Sequence, residues 1–247
     1  MVDEVAGSAD ERSAPSYRAK AEPTGEAMIK LRNIYKTYVR GEESIKVLED
    51  LSLDIPKGSY EALMGPSGSG KSTLLNLIAG LDRPTSGTIE INGRRTEALG
   101  ESALAKWRAD TIGFVLQSYN LLPVLTAVEN VELPLLLTKV PSGDRRKRAQ
   151  TALRVVGLED RMNHYPRQLS GGQEQRVSIA RAIVNDPTII VADEPTGDLD
   201  RQAADDILRL LEKLNTEMKK TILMVTHDPA AAERATIIRR LDKGRLK

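Results

Sequence analysis

An α/β fold is what the sequence predicts, and three observations predict it. The segment GPSGSGKST (65–73) sets a glycine-rich loop between a strand-like stretch and a helix-like one. TIGFVLQ, TIIVADE and TILMVTH are continuous apolar runs ending in polar residues, the pattern of strands buried in a parallel sheet. Between the first two of these runs lies a helix-rich section of about residues 120–170. Together they give a P-loop NTPase core with an N-terminal antiparallel β subdomain and an inserted α-helical subdomain.

Taken in order, residues 1–27 are rich in Ala, Ser, Glu, Asp and Pro without periodicity and read as a flexible leader. The folded domain is expected over 28–247. MIKLRNIYKTY, LEDLSLDIP and SYEALM read as strands, with turns at Gly41 and at Pro56-Lys57-Gly58. Lys71 to Ala79 reads as a helix, and GTIEINGR as a hairpin strand turning at Asn92-Gly93. Within the helical lobe, Ser142 is the expected cap and Gly157 the stop of one helix; Ala149, Leu153 and Val156 mark its buried side, leaving DRRKR (144–148) as a solvated face. Ile207, Leu208, Leu210, Leu211 and Leu214 define the apolar face of a long helix over Asp200 to Met218.

Composition narrows the functions. The 247 residues suffice for a substantial core, and 40% hydrophobic with 29% charged residues is ordinary for a globular chain. A net charge of +1 offers no global field for nucleic acid, so no nucleic-acid partner is expected. With no cysteine and two histidines, disulfides and thiolate metal sites are excluded. No run approaches the roughly 20 apolar residues of a membrane span, and the first residues lack the apolar centre of a secretory signal. The expected location is cytoplasmic.

GPSGSGKST satisfies G-x-x-x-x-G-K-[ST] in its required strand-to-helix setting. Gly65, Gly68 and Gly70 let the backbone curl until its N–H groups face one anion, beside the positive end of a helix. Lys71 would reach the β- and γ-phosphates and Ser72 would ligate Mg²⁺; Ser67, Ser69 and Thr73 complete the candidate nucleotide-binding set. In IIVADEP, Asp193 ends a strand where P-loop nucleotidases hold Mg²⁺, and Glu194 is placed to orient and deprotonate an attacking water. Gln117 and His227 also end strands, on the edge where open α/β sheets bind ligands. Taken alone, each is more often a polar strand terminus, and sharing an edge with the phosphate loop and Asp193 reverses that. On this edge, Gln117 offers a carbonyl to Mg²⁺ and water, and His227 a donor to the γ-phosphate.

A second glycine-rich loop, LSGGQ (169–173), opens onto another helix. Ser170, Gly171, Gly172 and Gln173 would offer a hydroxyl, close-approach amides and a second positive helix end to an anion. A loop carried on the helical lobe stands away from its own chain's phosphate cradle. Two chains meeting head to tail would place it on the partner's nucleotide, which predicts a homodimer.

With the phosphate loop, Gln117, LSGGQ, IIVADEP, TGDLD and His227 in this order, the chain resembles the nucleotide-binding subunit of an ATP-binding-cassette transporter from about Met28 onward. The resemblance implies ATP and Mg²⁺ as ligands, ATP hydrolysis as the activity, adenine stacking on Tyr38, and a dimer-coupling loop ending at Asp200. GPSGSGKSTLLNLIAGLDRPTSG, SYNLLPVLTAVENVELPL and DEPTGDLD further resemble the branch of macrolide exporters, lipoprotein-release ATPases and the cell-division ATPase subunit. That branch implies a separate integral membrane permease-type partner, and a peripheral position on the cytoplasmic face of the inner (plasma) membrane. Two uses of one motor stay open: driving export, or switching a cell-division or cell-wall partner without transport. Three positions depart from the family pattern: Leu116, Glu174, and Glu61, a carboxylate in an apparent core strand whose lone burial would be costly.

Overall fold

The computed structural model describes residues 25–247. Most of the expected leader, residues 1–24, therefore lies outside the described residues, and the first strand starts at Ala27, one residue before the expected boundary. β1 (Ala27–Arg40) and β2 (Glu43–Pro56) form a long antiparallel pair, joined across β1 by β4 (Ser86–Ile91) and then β5 (Arg94–Arg95). Asn92 and Gly93, both in the left-handed region, make the tight β4–β5 turn that their sequence predicts.

The second sheet is built on β3 (Tyr60–Met64), β6 (Ile112–Leu116), β7 (Ile189–Asp193), β8 (Thr221–Val225) and β9 (Ile237–Asp242), with β10 (Arg245–Leu246) antiparallel at one edge. Its order is β10-β9-β3-β8-β7-β6, and its five longer strands run parallel. Alternation sends the side chains of this sheet into two cores. Ile190, Ala192, Ile222 and Met224 face one, with α3 (Ala127–Glu132), α4 (Ser142–Val155), α5 (Gly171–Ile183), α6 (Arg201–Thr216) and the short α7 (Pro229–Ala232). Ile189, Val191, Leu223 and Val225 face the other, against the antiparallel sheet, α1 (Lys71–Ile78) and α2 (Glu101–Thr111). Both faces of the central strands are covered, which is why they read as unbroken apolar runs.

α6 buries the five apolar residues its spacing marks, Ile207, Leu208, Leu210, Leu211 and Leu214, each contributing roughly 1.5–3 kcal/mol by leaving water. In α4 the buried side is Ala149, Ala152 and Leu153, followed by buried Val156, and the helix stops at Gly157 with φ 73°. Its start differs from expectation. Pro141 holds the cap position and Ser142 is the first helical residue, with no side-chain cap. Pro141, its φ fixed by the ring at −58° and its ψ extended at 151°, takes the place where a capping hydroxyl would act, so the serine is already inside the helix.

Glu61 also differs from its expectation. It is fully buried on β3, yet it is not alone: Arg239 on β9 donates from Nε to Oε2 at 2.5 Å and from Nη2 to Oε1 at 3.3 Å. Arg239 Nη2 further donates to the carbonyl of Asp54 on β2, so this one ion pair ties the two sheets together.

Candidate active site

The register of the parallel strands decides what meets at their carboxyl edge. Leu116 pairs with Asp193, Asp193 with Val225, and Val225 with Leu63. One step beyond this row lie Gln117, Glu194, Thr226 followed by His227, and Met64 followed by Gly65. Four sequence segments thus deliver their polar ends to one edge.

At that edge the loop 65–70 turns into α1 through Gly70, whose φ of 103° suits glycine. Close approach rather than dihedral freedom constrains Gly65: a Cβ there would stand 2.1 Å from the Leu241 carbonyl oxygen. Below the loop, the β9–β10 turn supports it, with Gly244 N–H donating to the Ser69 carbonyl at 3.1 Å. Ser69 is buried and its Oγ has no protein partner. Lys71 folds over the loop, its Nζ donating to the carbonyls of Gly65 (2.8 Å) and Pro66 (2.9 Å). Ser67, Gly68, Lys71, Ser72 and Thr73 line an open cleft of about 460 Å³ whose far wall is Asp193, Glu194 and His227.

Asp193 stands against the loop. Burial raises its carboxyl above the ordinary aspartate value, the Ser72 hydrogen bond offsets part of this, the neighbouring Glu194 adds to the rise and Lys71 opposes it. Glu194 adopts φ 48°, left-handed for a residue with a side chain, a conformation that surrounding structure must impose. Its N–H donates to the Val225 carbonyl at 2.9 Å. Its Oε1 lies 3.0 Å from His227 Nδ1, and its Oε2 accepts from the His227 backbone N–H at 3.4 Å. A carboxylate at the mouth of an anion cradle, held by an exposed imidazole, is suited to take a proton from water. Glu194 and His227 also border a wider hollow of about 950 Å³, bounded by the 196–205 segment, Asp228 and Arg234.

Other expected residues lie outside the cleft. Gln117 directly follows β6, and its amide nitrogen donates to Asp198 at 2.9 Å. Tyr38 borders Thr73, is half exposed, and donates its hydroxyl to Asp82 at 2.7 Å, while the Lys36 ammonium sits 4.6 Å from its ring centre and 2.7 Å from the same carboxylate. Burial alone would raise the Asp82 carboxyl; hydrogen bonds from Lys36, Tyr38 and the Arg83 backbone together bring it below its ordinary value. Ser170 caps α5, its Oγ accepting from Gln173 N–H at 3.3 Å, while Gln173 Oε1 accepts from Ser170 N–H at 2.9 Å. The cap uses the serine oxygen and leaves its O–H to donate elsewhere. None of Ser170, Gly171, Gly172 and Gln173 lines the phosphate cleft. Asp200 caps α6, accepting from Ala203 N–H at 2.9 Å. Lys36 and Asp82 escape sequence reasoning, because each acts through a partner more than one element away, and Asp198, although it lies within TGDLD, meets Gln117 only through the fold.

This donor set suits a divalent cation. Ser72 hydroxyl and Asp193 carboxylate are hard oxygen donors already in hydrogen-bond contact, facing a cleft where phosphate oxygens can complete the shell. Among the described residues no cluster of three or more His, Cys, Asp or Glu could hold a metal ion without such help. The pair fits a magnesium that arrives with a nucleotide, while the Gln117 amide nitrogen is engaged by Asp198.

A phosphate loop and two successive carboxylates on the same sheet edge place the chain in the class of P-loop nucleotidases. Comparison with known proteins carries this further. The family model described as ABC transporter matches residues 48–197. A Thermotoga maritima protein named as an uncharacterized ABC transporter ATP-binding protein is 49% identical over 220 residues, 89% of this chain and 94% of its own length. A macrolide export ATP-binding/permease protein of Paracoccus denitrificans is 49% identical over 90% of this chain, which spans 33% of that relative. A solved Methanocaldococcus jannaschii cassette, a dimer in a post-hydrolysis state bound to ADP and Pi, superposes with TM-score 0.82 at 49% identity, covering 89% of this chain and 97% of that one. The chain belongs to the ABC transporter family, as an ATP-binding subunit that hydrolyses ATP.

Proposed function

We propose that the chain binds Mg-ATP, closes head to tail with a second copy so that nucleotide lies at the interface, and hydrolyses it to drive a separate membrane-spanning partner of the export, lipoprotein-release or mechanotransmission type. The observation that carries the reading is the division of anion-binding features. Loop 65–73 with Asp193 and Glu194 forms one half, and Ser170–Gly172 at the α5 amino end, outside that cleft, forms the other. The jannaschii neighbour being a dimer with ADP and Pi supports it.

In this reading Gly65, Ser67, Gly68, Ser69, Gly70 and Thr73 bind phosphates through backbone and hydroxyl donors, and Tyr38 stacks on adenine. Lys71 exchanges its two loop carbonyls for phosphate oxygens. Ser72, Asp193 and Gln117 would hold Mg²⁺, which supplies neutralisation of phosphate charge. Glu194 orients a water and accepts its proton, and His227 holds Glu194 and donates to the γ-phosphate. From the partner copy, Ser170 donates its free O–H, Gly171 and Gly172 their amides, with Gln173 fixing the serine; Asp200 links the two sites. The helical subdomain of about 120–170 transmits closure to the permease at the cytoplasmic face of the membrane. No helix among the described residues is long and apolar enough to cross a membrane, and the membrane-spanning work belongs to that partner.

The test is Glu194→Gln. It keeps the hydrogen-bonding shape but cannot take a proton, so ATP binding persists, steady-state turnover falls by at least about 100-fold, and size-exclusion chromatography with Mg-ATP shows a stable dimer. Near-normal turnover removes Glu194 from the role, and a protein that stays monomeric removes the shared site.

A further inference from the structure

Gln117 and Asp198 lie 81 residues apart in sequence and touch. The Gln117 side chain lies against Gly197 and Asp198. A Cβ at Gly197 would fall 2.9 Å from Gln117 Nε2 and 3.0 Å from its Cδ, so a residue larger than glycine would push the amide off this surface. At the tip, Nε2 donates to Asp198 Oδ1 at 2.9 Å. An ionised carboxylate only accepts hydrogen bonds, so it selects the nitrogen end of the amide and turns the carbonyl oxygen away from the loop. Without that partner an exposed carboxamide is free to rotate, offering nitrogen as readily as oxygen. Only the oxygen end can accept from a water or face a cation.

The two segments are also held at a fixed separation. Gln175 on α5 is fully buried, and its Nε2 donates to the carbonyls of Leu116 (3.3 Å) and Pro195 (2.6 Å). Leu116 immediately precedes Gln117, and Pro195 opens the loop that carries Gly197, Asp198 and Asp200. One buried amide therefore sets the geometry in which the exposed pair meets.

We propose that Asp198 is a positioning residue of the ATPase: it orients the Gln117 carboxamide with its oxygen available to the phosphate edge, and ties that orientation to the loop ending at Asp200. The inference rests on Gln117 acting at that edge, as read above. Asp198 works through Gln117, with Gly197 supplying the space.

Three variants of the full chain test it: Asp198→Ala removes the acceptor, Asp198→Asn keeps an oxygen acceptor, and Gly197→Ala crowds the amide. Asp198→Ala lowers kcat by about 3- to 10-fold, the range for losing one exposed charge-assisted hydrogen bond, with the KM for ATP and the melting temperature unchanged. Asp198→Asn recovers most of kcat, and in a Gln117→Ala background Asp198→Ala has no further effect. A readout independent of turnover uses nucleotide-free, ¹⁵N-glutamine-labelled protein. The Gln117 side-chain NH₂ signals, assigned by their loss in Gln117→Ala, move and exchange faster with solvent in Asp198→Ala and Gly197→Ala. Additive losses in the double variant, equal damage from Asn and Ala, or NH₂ signals indifferent to Asp198→Ala overturn the proposal. Wild-type turnover in Gln117→Ala overturns the role of Gln117 as well, an outcome distinct from additivity between two impaired variants.

Discussion

Glu61 and Arg239 show how one residue's chemistry is decided by another far along the chain. A buried ionised carboxylate without a partner costs several kcal/mol, and the Arg239 guanidinium meets it with two donors while donating a third bond to the Asp54 carbonyl. Glu61 has no exposed side-chain surface and Arg239 keeps 28% of its own, so the carboxylate is the group at risk when the pair is broken. Arg239→Met is expected to destabilise the fold by about 3 kcal/mol, at the lower end for a broken buried pair. Adding Glu61→Leu to it should restore much of the loss, because no charge is then left unpaired. Urea unfolding of the two variants checks this. A loss below about 1 kcal/mol in Arg239→Met, or a double variant worse than the single, would mean that water compensates Glu61.

Among the elements, caps separate structural from functional demands on the same residue. Asp200 accepts from Ala203 N–H at the start of α6, a cap worth about 1 kcal/mol. Asp200→Ala should lower the melting temperature by about 2–4 °C, whereas Asp200→Asn, an equally good cap, should leave it unchanged. Thermal melts of both decide the point, and a drop with Asn would show that the charge rather than the cap is used.

The elements also show what sequence makes legible. β6, β7 and β8 were readable because burial on both faces leaves an unbroken apolar signature, and α6 because five apolar residues mark one stripe. β9 was not, since IIRRLD carries two arginines that break the apolar signature, and Arg239 is matched by Glu61 only in the fold. α2 was missed because it buries only Leu104 and Trp107. Within the site, the phosphate loop and Asp193-Glu194 are contiguous and carry their own chemistry. Asp82 and Gln175 are ordinary polar residues until the fold brings Tyr38 and Leu116 to them, and the partner of Asp198, inside TGDLD, is decided by the fold as well.

For the molecule as a whole, the proposed function requires one surface to do two jobs, starting α5 in its own protomer and closing the nucleotide site of another. Gly171 and Gly172 are tightly seated from within: a Cβ on the first would stand 3.1 Å from Tyr119 Oη, and on the second 3.1 Å from Ala203 Cβ. Ser170→Ala removes the outward O–H together with the cap, and Gly172→Asp sets a carboxylate where the partner's γ-phosphate would arrive. Neither touches the cleft formed by the loop 65–73. Both should therefore leave the affinity of the monomer for a fluorescent ATP analogue within about twofold, while ATP-dependent dimerisation in a Glu194→Gln background weakens by about tenfold for the serine and is lost for the aspartate. Mixing supplies the decisive arm. Gly172→Asp blended with Lys71→Ala can form one intact composite site per heterodimer, built from the first chain's phosphate loop and the second chain's Ser170–Gly172. Nucleotide-dependent heterodimer formation in that mixture, when neither variant pairs with itself, is the expected result. A loss of monomer affinity as large as the loss of dimerisation would place Ser170–Gly172 in the chain's own site and contradict the head-to-tail arrangement.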